Sequence, residues 1–204
     1  MIGLVFFSLG IVLNIRANVG FSPWEVFHVG LAETTGLSIG FVSIIVGLAL
    51  AVITMLLGEK LGLGTILNII IIGLLIDLIF PYIPTAINHI AGAAMLVAAL
   101  FAISIGSYFY IKSAFGAGPR DSLMVVLARK TKLPVGLCRS VIELLATFTG
   151  WLLGGMVWIG TLVFVVGIGF CIQLTFRVFK FDVTAVKHET LRDTYTELKR
   201  IWRQ

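Results

Sequence analysis

Long apolar stretches broken by short charged clusters dominate the chain. Six stretches, at 1–15, 37–57, 65–80, 90–111, 135–154 and 161–179, carry few or no charges. A bilayer core takes roughly 20 apolar residues as one helix. In lipid every backbone polar group must be paired internally, which leaves helices or a closed barrel. The stretches are continuously apolar rather than alternating, so they read as helices. With 59% hydrophobic and 12% charged residues, the chain lacks the polar surface of a soluble domain. The expected fold is an all-α polytopic membrane protein with six transmembrane helices. The first is short for a span, at about 23 Å from the 1.5 Å helical rise.

Several function classes fall away. No basic segment, apolar core and small-residue cleavage site mark a cleavable signal. Cys138 and Cys171 lie inside apolar stretches and read as reduced packing residues. No metal-ligand cluster, Ser-His-Asp set or phosphate loop appears, so neither a cofactor, a metal nor an enzyme activity is expected. The pI near 9.5 does not point to nucleic acid, because the basic residues flank the spans. Anionic lipid headgroups and topology account for them.

Basic residues also set the orientation. Lys60, Lys112, Arg120, Arg129, Lys130, Lys132, Arg177 and Lys180 fall on one side, with a basic tail. The opposite loops, 81–89 and 155–160, carry no Lys or Arg, and only Arg16 lies on that side. The positive-inside rule then places both termini in the cytoplasm. Three divisions follow: a first membrane unit at 1–82, a second at 83–180 and a tail at 181–204. In the tail Leu191, Tyr195, Leu198 and Trp202 form one apolar stripe among Lys and Arg residues. The expectation is an amphipathic helix lying on anionic lipid or on the protein itself.

The chain repeats itself. An offset of 96 positions carries Gly20 onto Gly116, Pro23 onto Pro119, Thr35 onto Thr131 and Gly64-Thr65 onto Gly160-Thr161. Glu25 falls on Asp121, so both copies read Gly-x-x-Pro-x-acid. Each copy holds three spans, an odd number, so the second enters the bilayer from the opposite side. That predicts two inverted three-helix repeats, related by a pseudo-twofold axis in the membrane plane. Each repeat also holds a short segment, 22–35 or 119–131, expected as a re-entrant or interfacial half-helix.

The candidate site comes from these short segments. Proline suits the first helical position, and Ser22 with Glu25 has capping-box spacing. Two helix N-termini meeting across the axis would present free N–H groups to an anion. Arg120 adds a charge suited to carboxylate or phosphate, and Asp121 lies beside it. Glu25 and His28 stand one turn apart, as a proton relay requires. Arg139 and Glu143, at i and i+4 within the fifth span, are costly in lipid and so are candidates as well. The competing readings are ordinary helix caps, a polar face at the headgroups and an ion pair that glues helices. Asp77, near the end of the third span, reads as snorkelling to water.

The segment Asn14-Ile15-Arg16-Ala17-Asn18-Val19-Gly20-Phe21-Ser22-Pro23-Trp24-Glu25-Val26-Phe27-His28 resembles the opening motif of the YitT/YczE-like family of bacterial membrane proteins. Gly62-Leu63-Gly64-Thr65 and Gly116-Ala117-Gly118-Pro119-Arg120-Asp121-Ser122-Leu123-Met124 share the likeness. It is closer to the YczE branch, with no large soluble domain after the last span. The resemblance implies a multi-pass protein of the bacterial inner membrane and supplies no substrate. The leading expectation is secondary transport of a small, anionic solute coupled to a proton or ion. The alternative is a non-transporting accessory protein that assists an enzyme or complex at the cytoplasmic face. The orientation is testable: an impermeant thiol reagent added outside should label single cysteines placed at 82–88 and spare those placed in the tail.

Overall fold

The computed structural model describes residues 1–59 and 61–181. Lys60 and, apart from Phe181, the expected tail helix lie outside the described residues. The described residues form helices α1 (Ile2–Arg16), α2 (Pro23–Thr35), α3 (Ile39–Leu56), α4 (Leu63–Ile79), α5 (His89–Lys112), α6 (Pro119–Thr131), α7 (Val135–Leu152) and α8 (Ile159–Val178). A 3₁₀ turn, Phe80–Tyr82, closes α4, and no strand occurs among these residues. Helices α3, α4, α5, α7 and α8 are long and apolar enough to cross a membrane; α1 is apolar but shorter. The described residues are therefore all-helical, and the protein is a multi-pass membrane protein.

Local chemistry fixes the helix starts. Proline opens both α2 and α6, where its missing N–H costs nothing. The Asn88 side chain accepts from the Ala91 N–H at 2.8 Å and caps α5. Two expectations need correction. The Ser22 hydroxyl makes no capping bond; instead the Ser22 N–H donates to Asn14 Oδ1 at 2.8 Å. Asp77 is not left to water either. Its carboxylate accepts from the Gly40 N–H at 2.8 Å and the Ser38 hydroxyl at 2.5 Å, capping α3 from across the hairpin. A carboxylate at a helix N-terminus is held by both hydrogen bonds and the helix dipole.

Backbone conformations recur at the offset of 96. Helices α2 and α6 share equivalent bounds, as do α3 and α7. Left-handed residues recur too: Asn18 and Ala114 at φ 52° and 59°, Gly36 and Lys132 at 73° and 61°, Gly58 and Gly154 at 91° and 101°. Such conformations are uncommon outside glycine.

The core of the molecule is the crossing of α1 with α5. Gly3 lies against Gly106 and Tyr110, Gly10 against Ala99 and Ile103, and Gly92 against Ala17. The numbers run in opposite senses, so the two helices are antiparallel, with their backbones brought close by glycine. Helix α4 packs on α1 and α8 packs on α5. Each short helix packs on a long helix of the other half, α2 on α7 and α6 on α3. The halves also exchange hydrogen bonds. The Gly64 N–H donates to Phe115 O and the Gly160 N–H donates to Val19 O, each at 2.7 Å. Thr65 Oγ1 adds a bond to Ala117 O at 2.6 Å. Gly20 and Gly116, at φ +111° and +129°, sit where these strands of chain touch, with no room for a side chain.

One packing contact lacks its counterpart. Helix α3 closes on α4 through Gly40 and Gly73, both buried and in backbone contact. The equivalent glycines of α7 and α8, Gly136 and Gly169, are exposed, and a Cβ at either would meet nothing within 4 Å.

These two environments predict opposite outcomes. At Gly106 a Cβ would fall 2.8 Å from Phe7 N and 2.9 Å from Gly3 O, backbone atoms that cannot yield. Gly106→Leu should cost about 1–3 kcal/mol or more from overpacking, lowering the thermal midpoint in detergent. Gly136→Leu should leave that midpoint unchanged.

Candidate functional site

Between the two halves lies a cavity of about 330 Å³ to which all eight helices contribute. Its walls differ in chemistry. Helices α1 and α8 supply apolar side chains, including Phe7, Ile11, Phe164, Ile168 and Ile172. Helices α2, α6 and α7 supply charge. All seven residues singled out in the sequence, Ser22, Glu25, His28, Arg120, Asp121, Arg139 and Glu143, line this one space.

The first turns of α2 and α6 meet there. Glu25 Oε1 lies 3.5 Å from an Arg120 terminal nitrogen and 3.9 Å from His28 Nδ1. Glu25 and His28 are 2% and 1% exposed. The Arg120 guanidinium also sits 4.8 Å from the Trp24 ring centroid, a cation–π distance. Trp24 and Phe27 flank the His28 ring, each with centroids 6.3 Å away. Asp121 stands in the first turn of α6. Arg139 Nε donates to Glu143 Oε1 at 2.8 Å, as the i, i+4 spacing predicts. This pair is partly exposed, on the side where α7 and α8 stand apart.

The lining is equivalent in backbone and divergent in chemistry. At the offset of 96, Trp24 and Arg120, Glu25 and Asp121, Ser43 and Arg139, and Gly47 and Glu143 all face the cavity. The first half places one formal charge among these positions, Glu25, and the second half places four.

Several buried polar atoms have no hydrogen-bond partner among the described residues: Glu25 Oε1, both ring nitrogens of His28 and the Tyr110 hydroxyl. All three residues line the cavity. Buried polar groups are almost always paired, so this cluster offers unfilled hydrogen-bonding groups to a polar ligand or water. Tyr110 escaped the sequence reading. So did Asn14, its equivalent at the offset, whose Oδ1 holds the chain ahead of α2. A tyrosine closing an apolar run reads as an interfacial anchor, and only the paired positions hinted at more. No group of three or more possible metal ligands occurs among the described residues.

Residues 1–177 match the family of unknown function DUF6198. A Bacillus subtilis protein described as an uncharacterized membrane protein, YczE, is 34% identical over 163 residues, 78% of this chain and 75% of that protein. The chain belongs to this YczE-like membrane-protein family. An uncharacterized Haemophilus influenzae protein is 32% identical over 182 residues, 87% of this chain and 84% of its own length. The B. subtilis protein YyaS is 28% identical over 168 residues, 79% and 82% of the two chains. No solved structure gives a significant match. In this YczE-like chain the family-resembling motifs therefore have a structural role: they build the two short-helix starts and the Gly-Thr turns that grip them.

The Glu25–Arg120 pair supplies a test. Arg120→Gln leaves the buried Glu25 carboxylate without its nearest cation and should cost roughly 1–3 kcal/mol. Adding Glu25→Gln should restore most of that loss. Thermal denaturation of the single and double variants in detergent reads the coupling, and a double variant no more stable than Arg120→Gln would deny it.

Proposed function

We propose that the chain is a secondary transporter of a small anionic solute coupled to a proton. In this reading it has six spans, α1 included, arranged as two inverted repeats around the cavity. Support comes from the antiparallel α1–α5 crossing: equivalent helices that pack antiparallel belong to units of opposite direction. Helices α2 and α6 are then re-entrant half-helices, since irregular backbone at membrane depth needs cover by protein or a cavity. With the basic loops inside, both termini are cytoplasmic and the membrane is the bacterial inner membrane.

The observation that carries transport is the broken equivalence of the two seams. Gly40–Gly73 is shut; Gly136 and Gly169 face open space. Inverted repeats can exchange conformations, so a second state is built in, with α7 closed on α8 and α3 parted from α4. In this reading the cavity opens between α7 and α8, toward the cytoplasmic end of α7. A static accessory scaffold has no use for an unused copy of a close-packing glycine pair.

Charge balance supports the proton. The cavity lining holds three carboxylates, Glu25, Asp121 and Glu143, against two guanidiniums, Arg120 and Arg139. An entering anion therefore adds to a negative excess unless a proton accompanies it. Glu25 and His28, buried and adjacent, are the acceptors in this reading.

Cross-linking tests the second state. In a Cys138→Ser, Cys171→Ser background, Gly136→Cys with Gly169→Cys should form a disulfide in membranes under mild oxidant, because Cα atoms within about 7 Å can be bridged. Gly40→Ala with Gly73→Ala, which wedges the shut seam, should raise the cross-linking yield. Failure of Gly136→Cys and Gly169→Cys to link in either background would deny the exchange.

A further inference from the structure

We infer that the solute is an amphipathic organic acid, with an anionic group at Arg120 and an apolar body against α1 and α8. The inference rests on the cavity being the solute site; it does not depend on the seams exchanging. The cavity's two walls carry it. On one wall the first turns of α2 and α6 converge beside Arg120, and neither N-terminus has a side-chain cap. Helix N-termini and an arginine fork together suit a carboxylate or phosphate. Both ring nitrogens of His28 and the Tyr110 hydroxyl have no hydrogen-bond partner among the described residues at that end, beside the Glu25–Arg120 ion pair, and Glu25, His28 and Tyr110 are all at least nine-tenths buried. The protonated Glu25 or the Tyr110 hydroxyl would donate to a ligand oxygen, and a His28 nitrogen would take or give a proton.

The apolar lining from α1 and α8 argues against an inorganic ion as the full occupant. Phe7, Ile11, Phe164, Ile168 and Ile172 face the same space. Phosphate or sulfate would leave this apolar surface against water, whereas an apolar body removes it. The volume of about 330 Å³ falls at the small end of ligand pockets, which suits a soluble acid rather than a full-length membrane lipid acyl chain.

Purified protein in nanodiscs, titrated calorimetrically, provides the test. The probes are acetate, butyrate, hexanoate, 3-phenylpropionate and its amide, inorganic phosphate and palmitate. Affinity should rise about fourfold for each buried methylene from acetate to hexanoate. 3-Phenylpropionate should bind at least tenfold tighter than phosphate and than its own amide. In Glu25→Gln/Arg120→Gln, acid and amide should bind alike. In Ile168→Ser, the rise with chain length should flatten, with hexanoate losing more affinity than acetate. Phosphate or the amide binding as tightly as 3-phenylpropionate would overturn the inference. So would palmitate displacing hexanoate more strongly than 3-phenylpropionate does, or the absence of binding by every acid. Binding in the expected order by a protein whose seams never cross-link would leave the ligand class standing and remove transport.

Discussion

The structure hangs on a reciprocal grip. The Gly64 N–H bonds to Phe115 O, and the Gly160 N–H bonds to Val19 O. Each bond ties the first turn of a long helix in one half to the broken chain ahead of a short helix in the other. Without it, the Val19 and Phe115 carbonyls, just ahead of Gly20 and Gly116, would lose these partners. With it, the chain can stop one helix, turn through a glycine and start a new one at proline inside the fold. The cavity exists because two such starts are held open toward each other. The α1–α5 crossing sets their separation, since both breaks follow directly from its helices.

This grip also explains why the two recurrent motifs travel together. Gly-Thr supplies a donor with no side chain in the way, and in Thr65 a hydroxyl that reaches Ala117 O. Gly-x-x-Pro supplies the acceptor and the turn. Each half is incomplete alone, because its short helix has its main packing partner in the other half. Assembly of the halves and formation of the site are therefore one event rather than two.

Much of this was legible in the sequence. The proline positions marked the starts of α2 and α6. The Arg139–Glu143 pair followed from helical spacing alone. What was not legible depended on partners distant in the chain. Ser22 and Glu25 have the spacing of a capping box, yet Arg120, far along the sequence, offers the carboxylate a cation, and a cation outweighs a backbone N–H. Asp77 looked like a residue reaching for water because the Ser38–Gly40 start it caps lies across a hairpin. The glycines were the least readable. Gly40 and Gly136 are the same residue in the same register, and only packing distinguishes the buried one from the exposed one.

The unequal charge of the two cavity halves has a consequence for how a ligand lies. A space with true twofold symmetry would accept an asymmetric molecule in two orientations of equal energy, related by the axis. Trp24 opposite Arg120, and Gly47 opposite Glu143, remove that degeneracy. A molecule with distinct ends placed there would have one favoured pose. Under the proposed exchange of the two seams, the same end would lead.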